Sequence, residues 1–280
     1  MKALELINRG SKDLKNLEII SHRLDSEILL STVLRMSREK ILTNLCQKIK
    51  QLEINKFKNF ITRRSIREPI AYITKEKEFW SKTFEVNKST LIPRPETEII
   101  IELLSKKFKD KKINILDIGT GSGCILISLL YELKYSKGTG IDISNKSLLI
   151  ANKNALRHNI NSRAKFLRRS MEQLYNQKFD LIVSNPPYIK TIDIKNLDDD
   201  IRRFEPKLAL DGGKDGLDVI KKVIYKSKSI LKLSGLLAIE IGNKQQRKVS
   251  EILTRNNYRI KYKIKDYKDN VRFLVSTLKK

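Results

Sequence analysis

Histidine and cysteine are almost absent from this sequence, and their scarcity narrows the chemistry open to it. The two histidines, His22 and His158, stand alone, and the two cysteines, Cys46 and Cys124, lie far apart with no metal-ligand spacing. A zinc ribbon or a disulfide framework is thereby excluded, no metal ligands are assigned, and histidine-based acid–base chemistry is a poor expectation. The cysteines are expected as reduced packing residues within helices and the histidines as surface or capping residues. Glycine and proline are also sparse, at 11 and 6, which removes collagen-like and low-complexity architectures. No apolar run approaches the roughly 18 residues of a membrane span. The opening residues Met1 to Gly10 mix charged and apolar positions at helical spacing and lack the apolar core of a signal peptide. A cytoplasmic protein is expected.

What the chain has in excess is positive charge. Lys and Arg number 58 against 32 Asp and Glu, a formal net charge of +26 in 280 residues. Clustered cations would favour an acidic partner such as ribosomal RNA. Here the lysines are scattered through every segment beside abundant Ile and Asn, the pattern that an AT-rich base composition also leaves.

Hydrophobic periodicity divides the chain. From Leu4 to about Arg67 apolar residues recur at helical spacing, as in Leu24, Ile28 and Leu29, so residues 1–77 are expected to form a small helical domain. Residues 78–94 read as a connecting hairpin and linker, with Phe79 to Val86 alternating as a half-buried strand does. Residues 95–280 then alternate apolar strands with amphipathic helices, the pattern of a mostly parallel sheet covered on both faces. Candidate strands are 113–118, 139–143, 164–167, 179–184, 236–241, 258–265 and 271–277. The last two are joined by too short a turn for a helical crossover, so the closing strand is expected antiparallel to its predecessor.

The first of these strands runs into Gly119-Thr120-Gly121-Ser122-Gly123, at the sheet edge where open α/β folds bind ligands. Glycines allow a tight turn and close approach of a ligand to backbone, and the following helix offers free N–H groups. Such a turn serves a dinucleotide, S-adenosylmethionine or structure alone. About twenty residues on, Asp142 ends the second strand, where a carboxylate can accept from both ribose hydroxyls of an adenosine. The third strand ends at Arg168-Arg169-Ser170, whose backbone would border the adenine.

The fourth strand delivers Asn185-Pro186-Pro187-Tyr188 at the same edge. An amide nitrogen is a poor nucleophile because its lone pair is delocalised into the carbonyl, so a methyltransferase acting on one must orient it and favour pyramidalisation. The side-chain oxygen of Asn185 and the carbonyl of Pro186 can accept its two N–H bonds, with the prolines restricting the backbone that holds them. Tyr188 would pack on the planar substrate group. Asn185 and Pro186 are thus the candidate catalytic residues, Asn185 to Tyr188 the candidate substrate-binding residues, and Gly119 to Gly123, Asp142, Ser170 and Asn185 the candidate cofactor contacts.

Beyond these motifs the chain resembles the HemK/PrmC family of methyltransferases over nearly all its length. The likeness rests on Asp25 to Leu30, Arg67 to Ile73, Phe79-Trp80, Leu91-Ile92-Pro93-Arg94-Pro95-Glu96-Thr97-Glu98, Phe204-Glu205-Pro206, Asp211-Gly212-Gly213 and Glu240-Ile241-Gly242. The resemblance implies a Rossmann-like class I S-adenosylmethionine-dependent methyltransferase sheet of seven strands with an antiparallel last strand, plus a small N-terminal helical domain. It implies transfer of a methyl group from S-adenosyl-L-methionine, leaving S-adenosyl-L-homocysteine, to the glutamine side-chain amide of the Gly-Gly-Gln motif of class-1 peptide chain release factors, in support of translation termination. The helical domain would help recognise the release factor.

The sequence departs from that family in three places. Arg169-Ser170 stands where an acidic and an aromatic residue are common, Lys75 replaces a usual glycine, and the basic residue before the last strand pair is matched only loosely around Lys268 to Arg272. The alternative reading is an amino-methyltransferase acting on a base in ribosomal RNA or DNA, whose exocyclic nitrogens need the same orientation. Asp198-Asp199-Asp200 reads as a solvated loop placed where it could cover substrate.

Overall fold

Apolar residues returning every third or fourth position make helices that bury one face, and the chain up to Lys75 is built on such helices. They are α1 (Ala3–Lys15), α2 (His22–Leu34), α3 (Arg38–Leu42), α4 (Gln51–Ser65) and α5 (Ile70–Thr74). The computed structural model describes residues 1–175 and 177–279. Leu6, Ile7, Leu14, Leu29, Leu30, Ile54 and Phe57 close a core between α1, α2 and α4. Acidic side chains take up free N–H groups where two of these helices start: Glu5 accepts from Lys2 N–H at 3.0 Å and Glu53 from Lys50 N–H at 3.0 Å. Lys75 ends α5 in the left-handed region, at φ 63°, a conformation that a glycine adopts without strain. Cys46 corrects the expectation of a packed helical cysteine. It is exposed, in the turn between α3 and α4, where Ile49 supplies the buried side chain instead.

The next segment is a hairpin, β1 (Glu76–Phe79) and β2 (Lys82–Glu85). The even alternation seen in the sequence from Phe79 to Val86 is broken, because Trp80 and Ser81 both take φ 52° to form the turn. Phe79 and Phe84 meet edge to face across it, with ring centroids 6.0 Å apart, a favoured geometry for two aromatic quadrupoles. A single 3-10 turn at Pro95–Thr97 leads into α6 (Glu98–Lys107).

From there strands and helices alternate: β3 (Asn114–Ile118), α7 (Cys124–Glu132), β4 (Lys137–Asp142), α8 (Asn145–Arg157), β5 (Ala164–Arg168), β6 (Phe179–Ser184), α9 (Asp199–Phe204), α10 (Asp218–Ile230), β7 (Leu231–Glu240), α11 (Gln246–Arg255), β8 (Tyr258–Lys265) and β9 (Val271–Leu278). Seven strands form one sheet in the order β5-β4-β3-β6-β7-β9-β8. The pairs among β3 to β7 are parallel, while β9 is antiparallel to both neighbours, as the short final turn requires. Side chains alternate between the two faces of the sheet and so between two cores. Ile115, Leu181, Val183 and Ala238 join one cluster with α6 and α7, whereas Leu116, Ile182, Leu237 and Ile239 join the other with α10 and α11. A fully buried Leu or Ile contributes about 1.5–3 kcal/mol, so the two-sided burial makes this sheet the main store of apolar stability.

By packing, residues 1–75 and 198–204 form one unit, and residues 76–197 and 205–280 the other. The acidic run after Tyr188 therefore groups with the helices; Asp198 is exposed as its composition suggested, but Asp200 is not free in solvent. Asp200 is bound by Arg64 at 2.7 Å, and Arg64 also holds Asp25 at 2.7 Å and the Glu68 carbonyl at 3.1 Å. No helix among the described residues is long and apolar enough to cross a membrane.

Candidate active site

Strand register brings four positions to one level. Ile118 of β3 pairs with Ile141 of β4 and Ser184 of β6, and Ser184 pairs with Ile239 of β7. The next residue on each strand is Gly119, Asp142, Asn185 or Glu240. Strand order reverses between β3 and β6, the switch point where loops diverge and leave a crevice.

The loop after β3 is built of backbone. Gly119, Gly121 and Gly123 have φ of 73°, 55° and 80°, and the N–H groups of Gly119 and Thr120 both bond the Ile141 carbonyl, at 2.9 and 3.0 Å. Gly121 N–H donates to Asp142 Oδ2 at 3.0 Å, and Ser144 N–H to its Oδ1 at 2.9 Å, which fixes that carboxylate beside the loop. A Cβ placed on Gly119 would meet nothing within 4 Å, so the backbone there borders open space. That space is a cavity of about 510 Å³, within the usual range for a cofactor site.

Of the residues singled out in the sequence, Gly119, Thr120, Gly121, Ser122, Asp142, Ser170, Asn185, Pro186 and Pro187 line the cavity, as do Arg169 and Met171. Two do not. Gly123 lies beneath the loop at the start of α7, where a Cβ would crowd Ile127, Ala151 and Phe166. Tyr188 packs away from the cavity, against the apolar cluster of α10 and α11, because Gly242 leaves room for its ring. Its backbone carbonyl is held by Gln245 Nε2 at 2.9 Å. Cys124 borders the cavity, but burial pushes its thiol up to about 12, so it stays protonated and is not a nucleophile. Among the described residues no group of three His, Cys, Asp or Glu side chains could hold a metal ion.

Comparisons with known proteins place the fold in a family. Residues 5–74 match the family model of the PrmC N-terminal domain, and residues 95–200 match the methyltransferase small domain. The chain is 41% identical over 262 residues to the release factor glutamine methyltransferase of Buchnera aphidicola subsp. Schizaphis graminum, an alignment covering 92% of this chain and 94% of that one. It belongs to the release factor glutamine methyltransferase family. It is also 35% identical over 300 residues to the bifunctional methyltransferase of Rickettsia felis, but there 97% of this chain spans only 57% of the relative. A crystal structure of a methyltransferase from Pyrococcus furiosus, 20% identical, shares the fold with a TM-score of 0.54 over 78% of this chain and 97% of that one. The methyl donor of this class of fold is S-adenosylmethionine.

In this family member two features of the site had no local signal in the sequence. Arg94 Nη2 donates to Glu205 Oε1 at 2.6 Å and Ile92 N–H to Glu205 Oε2 at 3.1 Å, which pins the proline-rich segment to the one around Pro206; both border the cavity. Behind Asn185 lies a buried polar chain. Asn185 Nδ2 donates to Thr97 Oγ1 at 3.4 Å, Thr97 Oγ1 to Glu240 Oε2 at 2.6 Å, and Tyr188 Oη to Glu240 Oε1 at 3.4 Å. Glu240 is 1% exposed. Burial pushes its carboxyl up to about 7, against the lowering effect of Thr97, Arg272 and Tyr188, because a charge is disfavoured where water cannot reach it. Thr97 and Glu240 are 143 positions apart, and only the sheet register makes them neighbours.

Asp117, at the carboxyl end of β3, is a second buried acid. Burial raises it to about 7; the Thr120 hydroxyl, donating to Oδ2 at 2.7 Å, offsets part of that cost.

Proposed function

We propose that this chain transfers a methyl group from S-adenosylmethionine to the side-chain amide nitrogen of the glutamine in the Gly-Gly-Gln motif of class-1 peptide chain release factors. One observation carries the reading: Asn185 stands next to the glycine loop at the switch point, with its amide nitrogen committed to Thr97 and its oxygen left to accept. A donor at the substrate nitrogen would be met by an acceptor, which is what an amide nucleophile needs.

The residues present fit the methyl donor. Gly119 to Gly121 leave room for close approach to backbone, Asp142 offers a carboxylate to vicinal hydroxyls, and Ser170 and Met171 border the space beyond it. When bound, S-adenosylmethionine supplies an electrophilic methyl group and leaves as S-adenosylhomocysteine, while the amide nitrogen gives up one proton to solvent. The chain's part is alignment. Asn185 Oδ1 and the Pro186 carbonyl accept the two N–H bonds of the glutamine amide, turning its lone pair out of conjugation and toward the methyl carbon. Pro186 and Pro187 hold that acceptor pair rigid. The helical unit, which matches the family's N-terminal domain, is assigned to release-factor recognition, and the setting is the cytoplasm, where translation termination takes place.

The test is mass spectrometry of a release factor incubated with the enzyme and S-adenosylmethionine, with the added mass mapped to a residue. A methyl on the Gly-Gly-Gln glutamine is the expected result. Cofactor binding without that methyl, and with methylation of ribosomal RNA instead, would overturn the protein substrate in favour of a nucleic-acid base.

A further inference from the structure

An asparagine side chain has two ends of nearly equal size and opposite polarity, and shape alone does not choose between them. At position 185 the choice decides function. With Oδ1 toward the cavity the residue accepts a substrate N–H; flipped, it presents a donor to a donor. We propose that Thr97 and Glu240 are positioning residues which set that choice, holding the Asn185 amide with its oxygen toward the substrate. The inference rests on the methyl-transfer reading above and extends it to two residues that act through Asn185.

A hydroxyl has a single hydrogen to give. Thr97 gives its hydrogen to Glu240, over the short distance of 2.6 Å, and so faces Asn185 with a lone pair, which only Nδ2 can satisfy. Glu240 keeps the direction of the chain as long as it is a carboxylate, since it then accepts from both Thr97 and Tyr188. The carboxylate reaches this spot because Glu240 follows Ile239 on β7, just as Asn185 follows the paired Ser184 on β6. Thr97 comes from the turn that precedes α6, held there by Thr97 N–H to the Arg94 carbonyl at 3.0 Å.

A proton on Glu240 would reverse the logic. The acid would donate to Thr97, the Thr97 hydrogen would be free to turn toward Asn185, and the flipped amide would become as stable as the productive one. The groups facing Glu240 from the packed elements are Glu96 beside Thr97, Tyr188 after β6, Arg272 on β9 and Cys124 on α7. Arg272 favours the ionised form, though its own partner is Asp266 at 2.8 Å. Tyr188 is raised by burial and by Glu240, so it stays a donor through neutral pH.

The experiment follows the Asn185 side-chain NH2 signals by NMR in the full chain labelled with 15N-asparagine, in wild type and in Thr97→Val, Thr97→Ser and Glu240→Gln. Turnover on a release factor is measured in parallel. In wild type the Asn185 NH2 signals should titrate with a midpoint near 7 as Glu240 does, and Thr97→Val and Glu240→Gln should abolish that response. The kcat of Thr97→Val should fall about 10- to 100-fold, the cost of losing alignment of a reacting group, while the cofactor Kd stays within about twofold. Thr97→Ser should restore most of the rate, and Glu240→Gln should remove the acid limb of the pH profile. Asn185 signals and kcat in Thr97→Val identical to wild type would overturn the proposal. If that variant fails to fold, the pH response of Glu240→Gln decides alone: a limb retained near 7 refutes the role. A wild type that transfers no methyl to the release factor defeats the substrate reading, and the NMR response still settles the orientation.

Discussion

In the helical unit, buried carboxylates sit against guanidinium groups; in the sheet unit Glu205 does so too, through Arg94, but two carboxylates at strand ends, Asp117 and Glu240, do not. Asp25, Glu27 and Glu68, each 4% exposed, are held by Arg64, by Arg23 and Arg38, and by Arg63, at 2.7 to 2.8 Å. Burial alone would raise Glu27, but the Arg38 and Arg23 guanidiniums hold it below its ordinary value. Asp117 and Glu240, each 1% exposed, have hydroxyls for close partners and no ion pair among the described residues, and both are pushed up to about 7. A compensated buried charge is architecture. An uncompensated one costs stability and persists where it shapes a site. The difference separates residues that hold this protein together from those that let it act.

The sharpest test of that separation is Asn185→Ala, which should cut kcat by about 10³-fold, the size of losing one preorganised polar contact to the reacting group. Urea denaturation and calorimetric titration with S-adenosylmethionine should show little change, and a matching loss of stability would place Asn185 with the architecture instead. Arg64→Met should behave in the opposite way. It removes the guanidinium that holds Asp25. The carboxylate left buried and uncompensated should cost about 3–5 kcal/mol in urea unfolding, while cofactor affinity of the folded protein holds.

Next in size is Asp142→Ala, expected to weaken cofactor binding by about 10- to 100-fold through the lost charge-assisted hydrogen bonds, read by calorimetry, with unfolding nearly unchanged. The last test concerns Asp117 and the pH dependence of stability. Its folded value of about 7 lies above the roughly 4 of an unfolded aspartate, so between those values the native state holds a proton that the unfolded chain has released. Stability from this group is complete below the unfolded value and is lost as pH rises toward 7. Asp117→Asn has no such slope, so its stability relative to wild type should rise by up to about 1.4 kcal/mol per pH unit from pH 5 toward pH 7 and then level off. Equal differences at both pH values would mean that Asp117 is compensated after all.

Much of this was open to a reading of the residues. The order of strands and helices from Asn114 onward follows from side chains that alternate or recur with period, and each of the seven strands was identifiable within a few residues. Gly119 to Ser122, Asp142 and Asn185 to Pro187, which line the cavity, could be singled out because each stands at or just after a strand end. Tyr188 does not line the cavity, and nothing local reveals that Gly242 makes room for its ring against the cluster of α10 and α11. At the acidic run only Asp200 departs from the solvated reading, and for a similar reason: its partner, Arg64, lies 136 positions away.

Local order, then, was determined by the sequence acting over a few residues: periodicity, turn glycines, helix starts and the acid or amide that ends a strand. Those effects need no distant partner. The tertiary structure alone decided which carboxylates met an arginine, which way Tyr188 turned, and that Thr97 and Glu240 would stand behind Asn185. Those outcomes depend on strand register and on packing between segments far apart in the chain, and burial then sets the protonation of whatever the register has brought together.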